Sequence, residues 1–227
     1  MAEQLGFDLP GVPALGRADF MVAPSNAMAV SLIENWQNWP DGKLLLCGPE
    51  GSGKTHLTHV WAAQSDAAVV EASDLATADI PALIQRPVAI EDVPDLAGNR
   101  VAQTALFHLH NLAIAERQPL LLTGVGEPTR WPIDLPDLAS RIGGTQTASL
   151  QAPDDALLTA VLAKLFTDRQ IAVKPQFLSY LTRRIDRSFA SAREVVALLD
   201  AASLAQKRPL TRAFARTVLD KHPTDGR

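Results

Sequence analysis

The sequence predicts an α/β fold, in which a parallel sheet interleaved with helices is followed by a unit made of helices only. Three observations lead to this prediction. Short apolar runs alternate with helical patterns up to residue 150, a glycine-rich phosphate loop separates the first run from the helix after it, and the pattern beyond Pro153 is helical throughout. The chain has 227 residues, of which 47% are apolar, so it can fill one α/β core and a small appendage.

The predicted strands are five short apolar runs, at 43–47, 68–72, 88–91, 120–123 and 147–150. The helices predicted between them are 54–64, 75–84, which Pro81 weakens, and a longer one over 99–116. Right-handed crossovers bring the carboxyl ends of parallel strands to one edge of the sheet. We therefore expect the phosphate loop and the acidic pair that ends the third strand to lie on the same edge.

Four further helices are predicted in the last third of the chain. Asp154 is a good N-cap for a helix that runs to residue 168, and Pro175 can open the next one. Ser191 precedes a third helix through residue 205, and a short last helix covers 211–221. Since such a unit after a phosphate-loop domain is typical of a lid, we divide the chain into an N-terminal segment 1–16, a nucleotide-binding domain 17–152 and a lid 153–227.

Residues 48–55 read Gly-Pro-Glu-Gly-Ser-Gly-Lys-Thr, which is a complete G-x-x-x-x-G-K-[ST] phosphate loop. Glycines let backbone amides face the phosphates, and the helix that follows adds its positive end. The predicted nucleotide contacts are Gly48, Gly51, Ser52, Gly53, Lys54 and Thr55. Lys54 would reach the β- and γ-phosphates, and the Thr55 hydroxyl would bind Mg²⁺. A glycine-rich turn that matches by accident is the alternative, which the strand before and the helix after disfavour.

A second acidic element, Glu91-Asp92, ends an apolar strand. Carboxylate oxygens at that edge would hold the water shell of Mg²⁺, with Glu91 as the metal-side acid and Asp92 placed to orient an attacking water. An ordinary strand terminus could also carry two acids. The phosphate loop upstream favours the catalytic interpretation, because phosphate-loop NTPases combine the two motifs.

Composition and charge narrow the function classes. The formal net charge is −4, so no sequence-wide attraction to nucleic acid is expected, and we predict no sequence-specific reading of DNA. The basic residues at 183–187 and 206–208 are interpreted as a solvated helix face and helix-end charges. No apolar run reaches membrane-span length and no leader pattern opens the chain, so we expect a cytoplasmic protein without membrane contact. The single cysteine, Cys47, excludes an intrachain disulfide.

Three further segments give the sequence a family resemblance. They read Phe-Met-Val-Ala-Pro-Ser-Asn at 20–26, Leu-Pro-Asp-Leu-Ala-Ser-Arg-Ile at 135–142 and Ser-Ala-Arg-Glu at 191–194. With the phosphate loop and the acidic pair, residues 17–221 resemble the AAA+ family and, within it, the DnaA/Hda family of replication proteins. The resemblance implies a phosphate-loop parallel sheet with a C-terminal helical lid that binds ADP or ATP. It also implies that the 20–26 segment lies against the adenine base, with Asn26 as a contact, and that Arg193 touches the phosphates. His56 is counted with these nucleotide contacts.

The same resemblance implies a regulatory role for Arg141. In this family the arginine of the 135–142 box points into the nucleotide of a neighbouring subunit, where a guanidinium can accelerate hydrolysis by about 10³–10⁵. The expected function is negative regulation of replication initiation, by stimulating the hydrolysis of ATP bound to DnaA. A surface ion pair is the alternative role for Arg141. The alternatives for the protein are a self-sufficient AAA+ ATPase acting as a helicase loader or motor, and a non-catalytic adaptor.

The N-terminal residues Gln-Leu-Gly-Phe-Asp-Leu-Pro at 4–10 resemble a motif that docks on the DNA polymerase sliding clamp. Gln4 would enter a polar pocket, with Leu5, Phe7 and Leu9 as apolar anchors. The alternative is that Phe7 and Leu9 fold back on the protein's own surface. The expected partners are therefore DnaA and the clamp, with a homo-oligomer as a further possibility.

The sequence departs from the AAA+ pattern in its hydrolytic residues. The acidic pair runs Glu91 then Asp92, where many AAA+ ATPases have Asp then Glu, and the usual polar sensor after the 120–123 strand is represented only by Thr123. We therefore expect a site that holds nucleotide better than it cleaves it, with ADP as a candidate resident ligand. The sequence ends at Arg227 without the helix-turn-helix domain of DnaA, so origin recognition is not expected.

Overall fold

The computed structural model describes residues 16–17 and 20–221, and a five-stranded parallel sheet lies at its centre. The strands are β1 Lys43–Cys47, β2 Ala68–Glu71, β3 Val88–Glu91, β4 Leu120–Gly124 and β5 Thr147–Ser149. They are arranged in the order β2-β3-β4-β1-β5, with parallel pairing throughout. The predicted parallel sheet is confirmed, with β2 and β5 one residue shorter than expected and β4 one residue longer.

The α-helices of the described residues pack around this sheet and follow it. They are α1 Ala27–Glu34, α2 Lys54–Ser65, α3 Ile80–Leu83, α4 Arg100–Ala115, α5 Pro136–Gly143, α6 Asp155–Asp168, α7 Pro175–Thr182, α8 Phe189–Gln206 and α9 Arg212–Leu219. None of them combines the length and the apolar content that a bilayer crossing requires. The all-helical C-terminal unit is confirmed.

Two predicted helices differ from the structure. The helix expected over 75–84 is a 3₁₀ turn, Ala72–Ala76, followed by the single turn of α3. Asp79 caps α3 by accepting from the Ala82 amide at 3.2 Å, and Pro81 fits only the first turn of a helix, since it lacks an N–H. The third lid helix begins at Phe189 because Ser188, not Ser191, is its N-cap: the Ser188 hydroxyl accepts from the Ser191 amide at 3.0 Å.

Strand β1 is the centre of the sheet, and all five of its residues are buried. Because side chains alternate along a strand, β1 contributes to two cores. Leu45 and Cys47 lie in a cluster with residues of α4 and α5, whereas Leu44 and Leu46 lie in a second cluster with α1 and α2. The sheet is therefore covered by helices on both faces, as parallel sheets require.

The helices α6 to α9 have a core of their own. Their buried cluster includes Phe166 and Phe177, whose rings meet edge to face with centroids 5.9 Å apart, together with Val196 and Phe214. Asp154 caps α6 as predicted, accepting from the Leu157 amide at 2.7 Å. The last four helices therefore fold around a core that is separate from the cores of the sheet.

Candidate nucleotide-binding site

The phosphate loop leaves the carboxyl end of β1 and enters α2. Gly51 has φ +67° and Gly53 has φ +99°, a left-handed backbone that L side chains rarely adopt. Gly48 has a different constraint, since a Cβ there would lie 2.7 Å from the Leu150 carbonyl oxygen. Gly53 is also the N-cap of α2, so the helix begins at Lys54 and its free amides face the loop. The backbone geometry of the loop at 48–55 is thus consistent with the phosphate-binding site that the sequence predicts. We call this loop and the first turn of α2 the phosphate cradle.

Lys54 is the cation of this cradle, and it is 7% exposed. Its Nζ donates to the carbonyl oxygens of Gly48 at 3.2 Å and Pro49 at 3.1 Å. Burial lowers the pKa of Lys54, while the charges of Asp92 and Glu50 act in the opposite direction. The ammonium group therefore lies inside the loop, beside the acidic pair, where it can meet a phosphate oxygen.

Glu91 is the buried acid of the site, at 3% exposure. Burial raises the pKa of Glu91 to about 7, and a hydrogen bond from Thr55 works against this rise. The Glu91 Oε1 atom is buried without a hydrogen-bond partner, as is the Ser52 hydroxyl in the phosphate loop. A carboxylate oxygen and two hydroxyls, those of Ser52 and Thr55, are hard oxygen donors, so this set fits Mg²⁺ and phosphate chemistry.

Asp92 is held differently from its neighbour. Its backbone lies in the left-handed region, with φ +53°, and its amide donates to the Thr123 hydroxyl at 3.2 Å. Thr123 is itself buried at the end of β4. The next residue is Gly124, where a Cβ would lie 2.6 Å from both Pro94 and Trp131. The end of β4 therefore positions Asp92 through its backbone.

The 20–26 segment lies beside the phosphate loop, at the start of α1. The Asn26 side chain is buried and ties the segment together: its Oδ1 accepts from the Ala23 amide at 2.8 Å, and its Nδ2 donates to the Met21 carbonyl at 2.9 Å. The Phe20 ring meets the His56 ring edge to face, with centroids 5.1 Å apart. Asn26 thus shapes the segment, and Phe20 and His56 form a wall next to Gly53.

The lid contacts the phosphate loop through the first turn of α8. The Phe189 amide donates to the Gly51 carbonyl at 2.8 Å, and the Ser188 Cβ lies 2.6 Å from where a Cβ on Gly51 would be. Arg193 lies one helical turn after Phe189 and therefore on the same face of α8, half-buried. Sequence reasoning missed Ser188 and Phe189; the Ser-x-x-Ser capping spacing at 188–191 was the available signal.

Arg141 lies at the opposite edge of the sheet. It is exposed in the last turn of α5, and its charge lowers the pKa of both Lys43 and His110. Lys43 is the first residue of β1, whereas the phosphate loop follows the last. Within residues 16–17 and 20–221, the Arg141 guanidinium makes no salt bridge or hydrogen bond. The structure therefore brings the other described site residues together at one edge and leaves Arg141 away from them.

A buried basic pair beside Arg141 was not predicted. The Lys43 Nζ lies 3.3 Å from the His110 Nε2, and His110 has no exposed surface. Burial lowers the pKa of His110 to about 4, with the charges of Lys43 and Arg141 acting in the same direction. His110 is therefore neutral at pH 7 and accepts from Lys43. No sequence motif links these residues, since they come from a strand and a distant helix.

The predicted clamp motif, Gln4, Leu5, Phe7 and Leu9, lies outside the described residues. The remaining predicted site residues are all within them.

The described residues have the fold of AAA+ phosphate-loop proteins. Domain III of the replication initiation protein DnaA from Thermotoga maritima is similar at a TM-score of 0.78 and 18% identity, over 93% of this chain and 98% of that one. AMPPCP-bound DnaA from Aquifex aeolicus gives 0.75 at 17% identity, over 92% and 71%. The RuvB Holliday junction branch migration motor of Thermotoga maritima gives 0.62 at 18% identity, over 81% and 62%.

The lid adds a match at the sequence level. Residues 155–219 match the family model described as "Hda, lid domain". The C-terminal unit of this chain is therefore similar to the lid domain of Hda, and the fold of the chain is that of DnaA domain III. The resemblance of the sequence and its predicted fold class are thereby confirmed.

Proposed function

We propose that this protein is an Hda-like negative regulator of chromosome replication initiation. It binds a nucleotide, docks on the DNA polymerase sliding clamp and supplies Arg141 to ATP-bound DnaA, so that DnaA hydrolyses its ATP. The observation that carries the proposal is the position of Arg141, which is exposed at the sheet edge opposite the protein's own phosphate loop. An arginine placed there serves a site outside its own subunit.

The nucleotide, ADP or ATP, is held at the carboxyl edge of the sheet. The loop amides and Lys54 would bind the phosphates, Arg193 would reach them from the lid, and Thr55 and Glu91 would hold Mg²⁺. When bound, Mg²⁺ neutralises phosphate charge. The contact between Phe189 and Gly51 supports a lid, 153–227, that closes on a nucleotide domain, 17–152.

The acids of this site favour holding nucleotide over cleaving it. Burial raises the pKa of Glu91 to about 7, so its carboxyl group is only partly ionised near neutral pH. Asp92 is one methylene shorter than the glutamate usual at its position, and its backbone is tied to Thr123. The attacking water would therefore be poorly oriented, and we expect intrinsic ATP turnover by this chain to be weak.

Arg141 acts on the partner's nucleotide by electrostatics. A guanidinium against the γ-phosphate stabilises charge that develops in the transition state. To act in this way, Arg141 must have a side chain that is free to move and must lie at the surface of the subunit. The nearby positive charge of Lys43 disfavours an inward position of the Arg141 side chain, so its guanidinium stays available.

The clamp is the second proposed partner, reached through the motif at 4–9. Docking on a clamp would concentrate the protein where replication has begun and raise its effective concentration for DnaA. We place this activity in the cytoplasm, without sequence-specific reading of DNA.

The experiment that tests the proposal is ATP turnover by DnaA, with and without this protein, in the presence of DNA-loaded clamp. The wild type is compared with a Gln4→Ala/Phe7→Ala double variant, which keeps Arg141 and the phosphate loop. We expect clamp-dependent stimulation that the double variant loses. If the wild type gives no stimulation, the proposal is wrong; ATP turnover by the purified protein alone would then indicate a motor, and its absence an adaptor.

A further inference from the structure

The lid carries a concave basic surface that the proposed function does not use. A cavity of 390 Å³ opens between α7 and the start of α9. Its lining is polar and basic, and consists of Gln176, Ser179, Tyr180, Arg183, Arg184 and Arg212. The sequence attributes Arg183 and Arg184 to a solvated face, but the fold brings Arg212 from a distant helix to join them.

The charges in this cavity are unbalanced. Arg184 pairs with Asp220, a carboxylate that the Arg216 Nε also approaches, at 3.6 Å. Arg183 and Arg212 have no carboxylate partner among residues 16–17 and 20–221. Of the three lining guanidiniums, Arg184 alone has a carboxylate partner among these residues, in a chain whose net charge is −4. The cavity is a local positive site on an acidic protein.

Tyr180 fixes the geometry of the cavity. The Arg212 Cζ lies 5.1 Å from the centre of the Tyr180 ring, which is the geometry of a cation–π contact. The Tyr180 hydroxyl is buried without a hydrogen-bond partner in the described part of the chain. The contact with the Tyr180 ring therefore holds the Arg212 guanidinium at the cavity.

We propose that this cavity binds phosphate groups of a nucleic-acid backbone. Guanidiniums match phosphate oxygens in pairs, and the Gln176 amide adds a neutral donor. A nucleic-acid backbone presents a continuous row of phosphates, so that each guanidinium of the cavity can contact one of them, and an acidic peptide is the competing ligand that the test includes. Phosphate contacts of this kind carry no base sequence, so binding is independent of sequence.

The test is binding of a fluorescein-labelled 20-base-pair duplex of mixed sequence, followed by fluorescence anisotropy as salt is raised. Saturating ADP keeps the phosphate loop occupied. The variant is Arg183→Gln/Arg212→Gln, which removes the two guanidiniums without a carboxylate partner. Loss of two phosphate contacts should lower the slope of log K against log salt by about 1.8, and weaken binding roughly 60-fold at 0.1 M salt.

The matched control is Arg130→Gln/Arg187→Gln, which removes the same charge outside the cavity. Arg130 pairs with Glu127 at 3.2 Å and Arg187 with Asp155 at 2.9 Å, so both are surface ion pairs. The control should keep the wild-type slope. Equal losses in both variants would mean net charge alone acts, and would overturn the site. So would wild-type protein that does not bind the duplex, or an acidic peptide of equal charge that binds more tightly than DNA and is lost in the cavity variant.

Discussion

The two edges of the sheet are built in opposite ways. At the carboxyl edge, the phosphate loop is crowded by the lid, and its charged groups, Lys54 and Glu91, are buried. At the amino edge, Arg141 is exposed on a short helix, and the buried groups beside it, Lys43 and His110, lie 3.3 Å apart and contact each other. One edge is built to hold a ligand, and the other to present a side chain.

Under the proposed function, this difference allows one subunit to take part in two nucleotide sites. Helix α5 ends at the amino edge because the next strand, β5, starts there to pair with β1. A residue in the last turn of α5 therefore cannot reach the phosphate loop of its own chain. The positive charge of Lys43 beneath it opposes an inward position of the Arg141 guanidinium.

The first prediction concerns Arg141 at the amino edge, and it has the strongest consequence for activity. The substitution Arg141→Ala should reduce the stimulation of DnaA ATP hydrolysis by about 10³–10⁵, the range for an arginine finger supplied in trans. Nucleotide affinity of the variant should equal that of the wild type, because Arg141 is remote from the phosphate loop. Single-turnover hydrolysis by DnaA and ADP titration of the variant measure the two quantities.

The control for this change is Arg141→Lys, which keeps the charge but not the planar fork of donors. It should recover only a small part of the stimulation. Stimulation that survives Arg141→Ala would refute the trans-arginine role, and a loss of ADP binding would place Arg141 in its own site.

The second prediction concerns the buried pair beneath Arg141 and the pH dependence of stability. Burial lowers the pKa of His110 from 6.5 to about 4, so the unfolded chain binds a proton there that the folded protein does not. The stability that neutral His110 provides is fully present above pH 6.5 and is lost as the pH falls toward 4. One pKa unit corresponds to about 1.4 kcal/mol, so the loss is at most about 3 kcal/mol.

Urea unfolding of the wild type and His110→Gln between pH 4 and 7 measures this difference. Glu91 acts in the opposite direction, since its raised pKa stabilises the folded protein at low pH, but both proteins contain it. The free energy of unfolding should fall less steeply with acid in His110→Gln. His108→Gln removes an exposed imidazole from the same helix and is the control. Parallel curves for the wild type and His110→Gln would show that His110 is not neutral when folded.

The sequence predicts the carboxyl edge far better than the amino edge. Phosphate-loop spacing, strand patterns and the acidic pair are local signals, and the structure places Lys54, Thr55, Glu91 and Asp92 together as expected. The pairing of Lys43 with His110 joins residues 67 positions apart and leaves no pattern in the chain. Long-range contacts of this kind depend on packing, which a pattern of residue types does not specify.

The start of a helix is the other feature that the sequence predicts poorly. Ser188 and Ser191 both suit an N-cap, and only the backbone of Ser188, with its extended conformation, decides between them. The shift matters for the site, since it puts Phe189 in the first turn of α8 against Gly51. With the start of α8 placed three residues too late, the sequence could not predict the contact between the lid and the phosphate loop.

The third prediction concerns the carboxyl edge. It separates the free-energy cost of backbone strain from the cost of steric crowding at Gly51. Gly51 and Gly98 have nearly the same φ, +67° and +70°, but a Cβ on Gly51 would meet Ser188 at 2.6 Å while one on Gly98 has nothing within 4 Å. Both Ala variants pay the left-handed cost of about 1–2 kcal/mol. Gly51→Ala should lose about 1–3 kcal/mol more in urea unfolding, from overpacking.

The same pair of variants distinguishes the nucleotide site from general stability. Gly51→Ala should also weaken ADP binding, because it displaces α8 from the loop, and Gly98→Ala should not. Equal stability losses in the two variants would mean that the lid yields at no cost, and that the contact between Ser188 and Gly51 does not hold the site closed.

The last prediction concerns the hydrogen bond between the Asp92 amide and the Thr123 hydroxyl. Thr123→Val keeps the shape of the side chain but removes the hydroxyl that accepts from the Asp92 amide, and should lower the free energy of unfolding by about 1 kcal/mol. Thr123→Ser keeps the hydroxyl and is the control. Since Asp92 lies in the left-handed region, loss of this bond should free its backbone and reduce any residual ATP turnover while ADP affinity stays the same. If Thr123→Val changed ADP affinity and left turnover unaltered, Thr123 would act on the bound phosphates directly and Asp92 would be positioned by β3 alone.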